Sequence, residues 1–401
     1  MCNKMKKENF CSLPFKGIFL GSDGAVKPCC SLRGVLGNIN DKPLEEILND
    51  EPAKSLRQSI INGEWHDMCS QCNELEQRGA RTERSGILDD FDKMKDEPLT
   101  ADSFVLKRLD LRWSNTCNLT CTYCNSYFSS KWAEIEGVKV NNVKETGEES
   151  VFAFIEKQKH SVENIILLGG EPLLQKPNNR LLEILPDASY YILTNLSNPI
   201  ENNKLAQALA TDKVGWGISF ENVGERFEYV RHGASWDRLV KNLRFLNERK
   251  VRGIDIHPIY CVYSALNLCE FYEFVEQEGY ITQLYWQMLH NIEGLDVFRA
   301  PLPFKVKASA ELEKCFELYG HKYNMDLLKS IYDRLQESIN QPFHPTSKPQ
   351  FDWLDQIEQA IAGKKEQFIK LWPELYEVMK DSYNVDYQEP DNKIVYLRKE
   401  E

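Results

Sequence analysis

Three cysteines, Cys117, Cys121 and Cys124, stand three and then two residues apart in the stretch 115–125. The run before them, 104–113, alternates apolar and polar residues near its end, as a half-buried strand does. A strand that opens into three thiols leaves the chain little freedom. The loop is built to wrap one metal centre, and a sheet must deliver it there. A lone thiol is more often a small buried apolar group; three at this spacing read as ligands. Cys thiolates normally hold a four-iron four-sulfur cluster at all four irons, so three of them leave one iron open to an outside molecule. A zinc site would instead need a distant fourth ligand. Asn118-Leu119-Thr120 also spells a glycosylation acceptor, which cluster cysteines on both sides make coincidental.

A second motif lies about fifty residues downstream. Residues 164–168 are a short apolar strand, as a parallel strand covered on both faces requires, and it ends in Gly169-Gly170-Glu171-Pro172. Glycines without side chains let a ligand approach the backbone. Further strand-like runs at 190–195, 214–221, 253–263 and 284–289 alternate with helix-length segments. That alternation predicts repeated strand-helix units and a parallel sheet with chemistry at the carboxyl ends of the strands. Pro258 removes a ladder donor within the fifth run, which predicts a bulge or a later strand start there.

Together these motifs resemble the radical S-adenosylmethionine (SAM) superfamily. The resemblance implies an α/β fold with a partial (β/α)6 barrel, a SAM-binding 4Fe-4S cluster on Cys117, Cys121 and Cys124, and reductive cleavage of SAM to a 5′-deoxyadenosyl radical. Tyr123 fits the same cysteine motif, and Gly169, Gly170, Glu171 and Pro172 match the turn that receives the SAM amino group. Thr194 and Asn195 match a strand-three motif near the ribose, with Leu196 in place of its glycine. Ser219 and Arg231 match residues that contact the ribose and carboxylate region, a role for which a planar guanidinium fork is suited. The other reading of Arg231 is a solvated surface charge.

The N-terminal segment carries its own constellation: Cys11, Gly24, Cys29, Cys30, Cys69 and Cys72. The turn Ser22-Asp23-Gly24-Ala25 between apolar runs predicts a hairpin bringing Cys11 and Cys29 together, followed by a helix around 43–48 that leads to Cys69-x2-Cys72. Four thiols close a metal centre. The arrangement resembles the SPASM and Twitch auxiliary-cluster domains, in which a Cys follows a hairpin Gly after four residues. That spacing selects Cys29 as ligand, with Cys30 the alternate. Without further cysteines between Cys72 and Cys117, the shorter Twitch form with one auxiliary 4Fe-4S cluster is the expectation; a structural zinc ribbon is the competing reading.

Composition sets the surroundings. Forty-nine basic and sixty-one acidic residues give a net charge of −12, and 401 residues at 42% hydrophobic content suffice for two or three packed domains. No basic stripe suits nucleic acid, and neither a signal-like run nor a membrane span is evident. A soluble cytoplasmic protein is expected, in which twelve cysteines serve metal or catalysis rather than disulfides. Expected boundaries are 1–95 for the auxiliary domain, 96–300 for the barrel and 301–401 for a helical extension, with helices over 306–335 and 353–379 split by a loop at 342–349.

Cys261, Cys269 and Cys315 read as packed thiols, although one facing the barrel could donate a hydrogen atom. His257 and His290 could be acid-base groups but suit a core or rim better. Glu221, two residues after Ser219, shares its face on a strand. The resemblance implies an enzyme that modifies a C–H position of a peptide, protein or small-molecule substrate, drawing electrons from a reductant such as flavodoxin or ferredoxin. The contrasting possibility is a non-catalytic iron-sulfur or zinc protein for electron transfer or assembly.

Overall fold

The computed structural model describes residues 5–77, 82–289, 291–341 and 345–383. Two compact units emerge: Met1–Thr120, Cys124–Gly217 and Asn242–Gly253 form the first, and Cys121–Tyr123, Ile218–Lys241 and Ile254–Glu401 the second. His290 and residues 342–344 lie outside the described residues.

The N-terminal hairpin of the first unit is present as expected. Strands β1 (Gly17–Leu20) and β2 (Ala25–Lys27) pair antiparallel, Phe19 facing Lys27 and Leu20 facing Val26. Gly24 in the turn has φ +87°, a left-handed conformation that a side chain disfavours. Asn38 and Asn40 fill the space where its Cβ would stand, and both donate to the Asp23 carbonyl. A short β3 (Gly37–Asn38) pairs with β2.

The hairpin does not stand apart from the next domain's sheet. β1 pairs in parallel with β4 (Arg108–Leu111), Gly17 opposite Arg108 and Leu20 opposite Leu111. β4 pairs in parallel with β5 (Asn164–Leu167), and β5 with β6 (Ser189–Thr194). With β7 (Val214–Ile218), the order is β7-β6-β5-β4-β1-β2-β3. Leu109, Leu111, Ile165, Leu167, Tyr190 and Ile192 are buried on these strands. The helix Glu145–Gln158 lays Val151, Phe152 and Ile155 into the core, where Phe152 stacks on Trp113 at 5.1 Å.

In the second unit, the run that contains Pro258 breaks as its missing donor requires. β8 (Gly253–Ile256) stops before it and β9 (Ile259–Tyr260) starts after it. Each half finds its own parallel partner: β8 pairs with β10 (Gln283–Leu284) and β9 with β11 (Gln287–Met288). The Pro258 carbonyl still accepts from the Gln287 N–H at 2.9 Å. Helices Leu302–Tyr319, Asp326–Ile339, Lys348–Ala360, Lys364–Leu371 and Pro373–Asp381 make the helical C-terminal region. Phe304, Phe368 and Trp372 of this region are buried, whereas Tyr383 is exposed; Phe368 and Trp372 meet Tyr229 and Tyr263 at 5.1–6.2 Å between ring centres. No helix among the described residues is long and apolar enough to cross a membrane.

One buried cation ties the N-terminal segment together. Arg57, on the helix Glu51–Ile61, is 1% exposed and donates to the carbonyls of Ala101 at 2.5 Å and Leu48 at 2.6 Å. Arg57→Met keeps the apolar stem but strands both carbonyls, so urea unfolding should show a loss of about 3 kcal/mol, the sum of two unsatisfied buried acceptors.

Candidate functional site

The cysteine loop and the Gly-Gly turn are bonded to each other through their backbones. Gly170 N–H donates to the Ser114 carbonyl at 3.2 Å, and Glu171 N–H to the Thr116 carbonyl at 2.7 Å. A Cβ on Gly170 would lie 2.3 Å from the Thr116 oxygen and 2.4 Å from that of Asn115. At Gly169, φ is +118° and a Cβ would meet Gln175 Nε2 at 2.3 Å and the Ser114 oxygen at 2.9 Å. The close approach that demands glycine here is therefore that of the cysteine loop itself. Cys117 is fixed in turn by its N–H, which donates to Ser130 Oγ at 3.1 Å.

Glu171 is fully buried and does not face solvent. Its carboxylate accepts from Leu173 N–H at 3.1 Å, Thr194 Oγ1–H at 2.7 Å and Asn195 N–H at 2.9 Å. Burial pushes its pKa up, and these three donors pull against that shift. Pro172, beside it, is also buried, and its carbonyl accepts from Asn178 Nδ2.

Thr194 and Asn195, expected beside a ribose, are engaged with the first motif. Thr194 is spent on Glu171, while Asn195 Nδ2 lies 3.8 Å from Cys117 Sγ and donates to Asn118 Oδ1 at 3.1 Å. An amide beside a ligand sulfur is a means of tuning a cluster. Leu196 occupies the glycine position of that motif with φ +50°, so the left-handed conformation is kept although the residue is not glycine. Asn242 pins it by donating to the carbonyls of Leu196 and Asn198, each at 2.8 Å. Nothing in the local pattern of the sequence pointed to Asn242.

In the second unit, Tyr123, Glu221 and Arg231 form a triad. Glu221 is 1% exposed; it accepts from Tyr123 OH at 3.1 Å and from Arg231 Nη2 at 2.9 Å. Arg231 is 5% exposed, which corrects the solvated reading, and its guanidinium carbon stands 5.5 Å over the Tyr123 ring. Burial alone would lower the Arg231 pKa, but the Glu221 carboxylate outweighs it and holds the guanidinium charged. The fork thus already has one carboxylate within the chain, while its Nε–H is buried without an acceptor among the described residues. Ser219 is half-buried two residues before Glu221.

The N-terminal thiols converge on a cavity in the first unit. Cys11, Cys29, Cys69 and Cys72 line it, with Trp65 and Arg84 alongside. Cys30 is exposed and its Sγ contacts Glu83 Oε2 at 3.5 Å, so Cys29 rather than Cys30 faces the cavity. Arg84 stacks on Trp65 at 4.8 Å, pairs with Glu76 and donates to the Phe10 carbonyl at 3.1 Å, directly before Cys11. Its position was not foreseen, because no local pattern around residue 84 marks an arginine that packs beside the thiols. Burial pushes Cys11 up to about 12 and Cys69 up to about 11, with Cys69 and Cys72 adding to the shift at Cys11 and Cys72 to that at Cys69. Thiolates there need cationic partners, which bound metal provides. Among the described residues no three His, Cys, Asp or Glu side chains converge tightly enough to chelate a single ion. Four thiols spaced around a volume suit a four-iron cluster.

The remaining candidates are packed groups. Cys261 and Cys315 are fully buried and Cys269 nearly so. Burial lowers His257 to about 4, and its backbone N–H donates to the Ile218 carbonyl at 2.8 Å. Among the described residues no cysteine is in a disulfide.

Comparison with known proteins accounts for both constellations. Residues 11–73 match the model of the SPASM iron-sulfur cluster-binding domain, and residues 111–277 that of the Radical SAM superfamily. Among curated proteins, a 7-carboxy-7-deazaguanine synthase of Clostridium acetobutylicum is 30% identical over 141 residues, 34% of this chain and 53% of that protein. The chain thus spans about half the length of that relative. A probable GTP 3′,8-cyclase of Methanocaldococcus jannaschii is 22% identical over 249 residues, 60% of this chain and 80% of that protein. Among solved structures, SuiB of Streptococcus suis bound to the precursor peptide SuiA is similar with a TM-score of 0.37 and 17% identity, over 73% of this chain and 64% of that one. The two domain types imply 4Fe-4S clusters and SAM as cofactors. One model thus spans all four cavity thiols and the other all three loop thiols: residues 111–277 are a radical SAM domain and residues 11–73, ahead of it, a SPASM domain.

Proposed function

We propose that this chain is an enzyme that reductively cleaves SAM and uses the resulting radical to modify a C–H position of its substrate. The observation that carries the reading is the backbone union of the three-cysteine loop with the Gly-Gly-Glu turn, through Ser114 and Thr116. Cys117, Cys121 and Cys124 would hold the catalytic cluster. When bound, that cluster supplies an open iron for SAM and the electron for its cleavage. Cys11, Cys29, Cys69 and Cys72 would hold an auxiliary cluster in the cavity that Arg84 also lines.

The chain's own groups then have distinct tasks. The turn at Gly169, Gly170, Glu171 and Pro172 is held rigidly against the cysteine loop, where it would receive the SAM amino group. Asn195 would orient Cys117, and Thr194 would brace the turn through Glu171. Ser219 would meet the ribose region. Arg231 would present its remaining donors to the SAM carboxylate while Glu221 and Tyr123 hold the guanidinium plane in place.

A peptide or protein side chain is the favoured substrate, because SPASM-type enzymes commonly act on ribosomal peptides, with flavodoxin or ferredoxin as reductant. A small-molecule substrate is the second reading. It is supported by the two curated relatives, which are named for a deazaguanine product and for GTP.

Anaerobically prepared protein should contain about eight iron atoms per chain, as two four-iron clusters require. Cys121→Ala should abolish 5′-deoxyadenosine formation and leave about half of that iron. Zinc in place of half the iron would remove the auxiliary cluster from the scheme, and unimpaired SAM cleavage by the variant would remove the catalytic one.

The ion pair allows a sharper test. Arg231→Ala leaves the Glu221 carboxylate buried without its cation, so the apo protein should lose about 3–5 kcal/mol in urea unfolding. Adding Glu221→Gln should restore most of that stability without restoring SAM affinity, measured by titration of the reconstituted double variant. Wild-type SAM affinity in the double variant would show that Arg231 serves only the fold.

A further inference from the structure

The proposed function gives no task to the helical C-terminal region, yet one of its side chains is placed as no purely structural lysine needs to be. Lys364 is 2% exposed, and lysine is almost never buried so completely unless paired. Among the described residues its partners are a carbonyl and a ring: Nζ donates to the Tyr229 oxygen at 2.9 Å and stands 4.3 Å over the Tyr229 ring. It is also the first residue of the helix Lys364–Leu371, the positive end of the helix dipole, where a cation is disfavoured. Burial lowers its pKa to about 8, and the Cys121 thiol is the group that pulls the other way.

The residues around Lys364 connect it to the cysteine loop in three consecutive steps. The Tyr229 carbonyl takes Lys364. The next carbonyl, Val230, accepts both the N–H of Thr122 at 2.8 Å and its hydroxyl at 3.3 Å, and Thr122 follows Cys121. The residue after that, Arg231, pairs with Glu221, which also holds Tyr123. The strip 229–231 is thus gripped by the C-terminal helix on one side and grips Cys121–Tyr123 on the other. Arg226 Nε, donating to the Leu371 carbonyl at 3.2 Å, and the Lys370–Glu225 ion pair at 2.7 Å fasten the helix Gly224–Val230, which ends in this strip, to the helix Lys364–Leu371.

We propose that Lys364 is a positioning residue for the catalytic cluster: it holds the strip Tyr229–Arg231 in register with Cys121–Tyr123 and supplies a buried positive charge on that side of the loop. The inference rests on the functional reading above. A cation that is costly in the empty protein becomes complementary once thiolate charge collects at the loop. Removing it should therefore affect the loaded protein and spare the empty one.

The experiment compares wild type, Lys364→Met, Lys364→Gln and Lys364→Arg in the full chain, both apo and anaerobically reconstituted. Urea unfolding of the apo forms, iron content, SAM affinity and the midpoint potential of the catalytic cluster by EPR are the readouts. The Met variant loses the Tyr229 contact but also the cost of the buried charge, so its apo unfolding midpoint should stay close to that of wild type; it should keep its iron, show a more negative midpoint potential and bind SAM about tenfold more weakly, the scale of one charge-assisted contact. Arg should recover the potential. If the Met variant does not fold, Gln, which keeps a donor for Tyr229 without the charge, should show the same shift in potential. An unchanged potential and SAM affinity in the neutral variants would overturn the inference, as would a loss of apo stability with no change in either. Wild type that takes up no SAM-responsive cluster at the loop would overturn the functional reading itself, and the apo stabilities would then show whether Lys364 is structural.

Discussion

Everything near the cysteine loop depends on one buried carboxylate. Glu171 collects donors from its own turn and from the end of β6, and so clamps the ends of two neighbouring strands while its own N–H holds the loop at Thr116. A charge in that position is tolerated because three donors replace water. The arrangement fixes the distance between the loop that carries the thiols and the turn that follows β5. A ligand that spans loop and turn meets a rigid frame, and little of its binding energy is lost in ordering them.

The sequence was most informative where chemistry requires a particular residue. Gly24, with its left-handed turn, marked the hairpin, and the count from it to Cys29 selected the thiol that lines the cavity. Pro258 announced the break between β8 and β9 because a missing N–H cannot be repaired by context. The glycines of the second motif were recognised for a different reason from the one the structure gives. Their backbone meets the cysteine loop, a contact between segments fifty residues apart that local pattern does not contain.

Long-range partners were the part that could not be read. Arg231 looks like any surface arginine until β7 and the helix after it bring Glu221 to it. Asn242 sits on the amphipathic helix Trp236–Glu248, where a polar residue normally faces water, and Lys364 begins a charged helix in the same way. In each case a polar group is buried by packing that depends on the whole unit. Periodicity predicts which face of a helix is apolar, but not which polar residue will be enclosed at its edge.

The parallel pairing of β1 with β4 bears on how the protein is made. The SPASM segment leaves the ribosome before β4, so the edge of its hairpin stays unpaired until residues 108–111 have been synthesised. During that interval it exposes an open strand edge, which is prone to wrong association. Only the arrival of β4, which leads directly into the second set of cysteines, closes it. The order of translation thus leaves the edge of β1 without its partner until the strand that leads to Cys117 has been made.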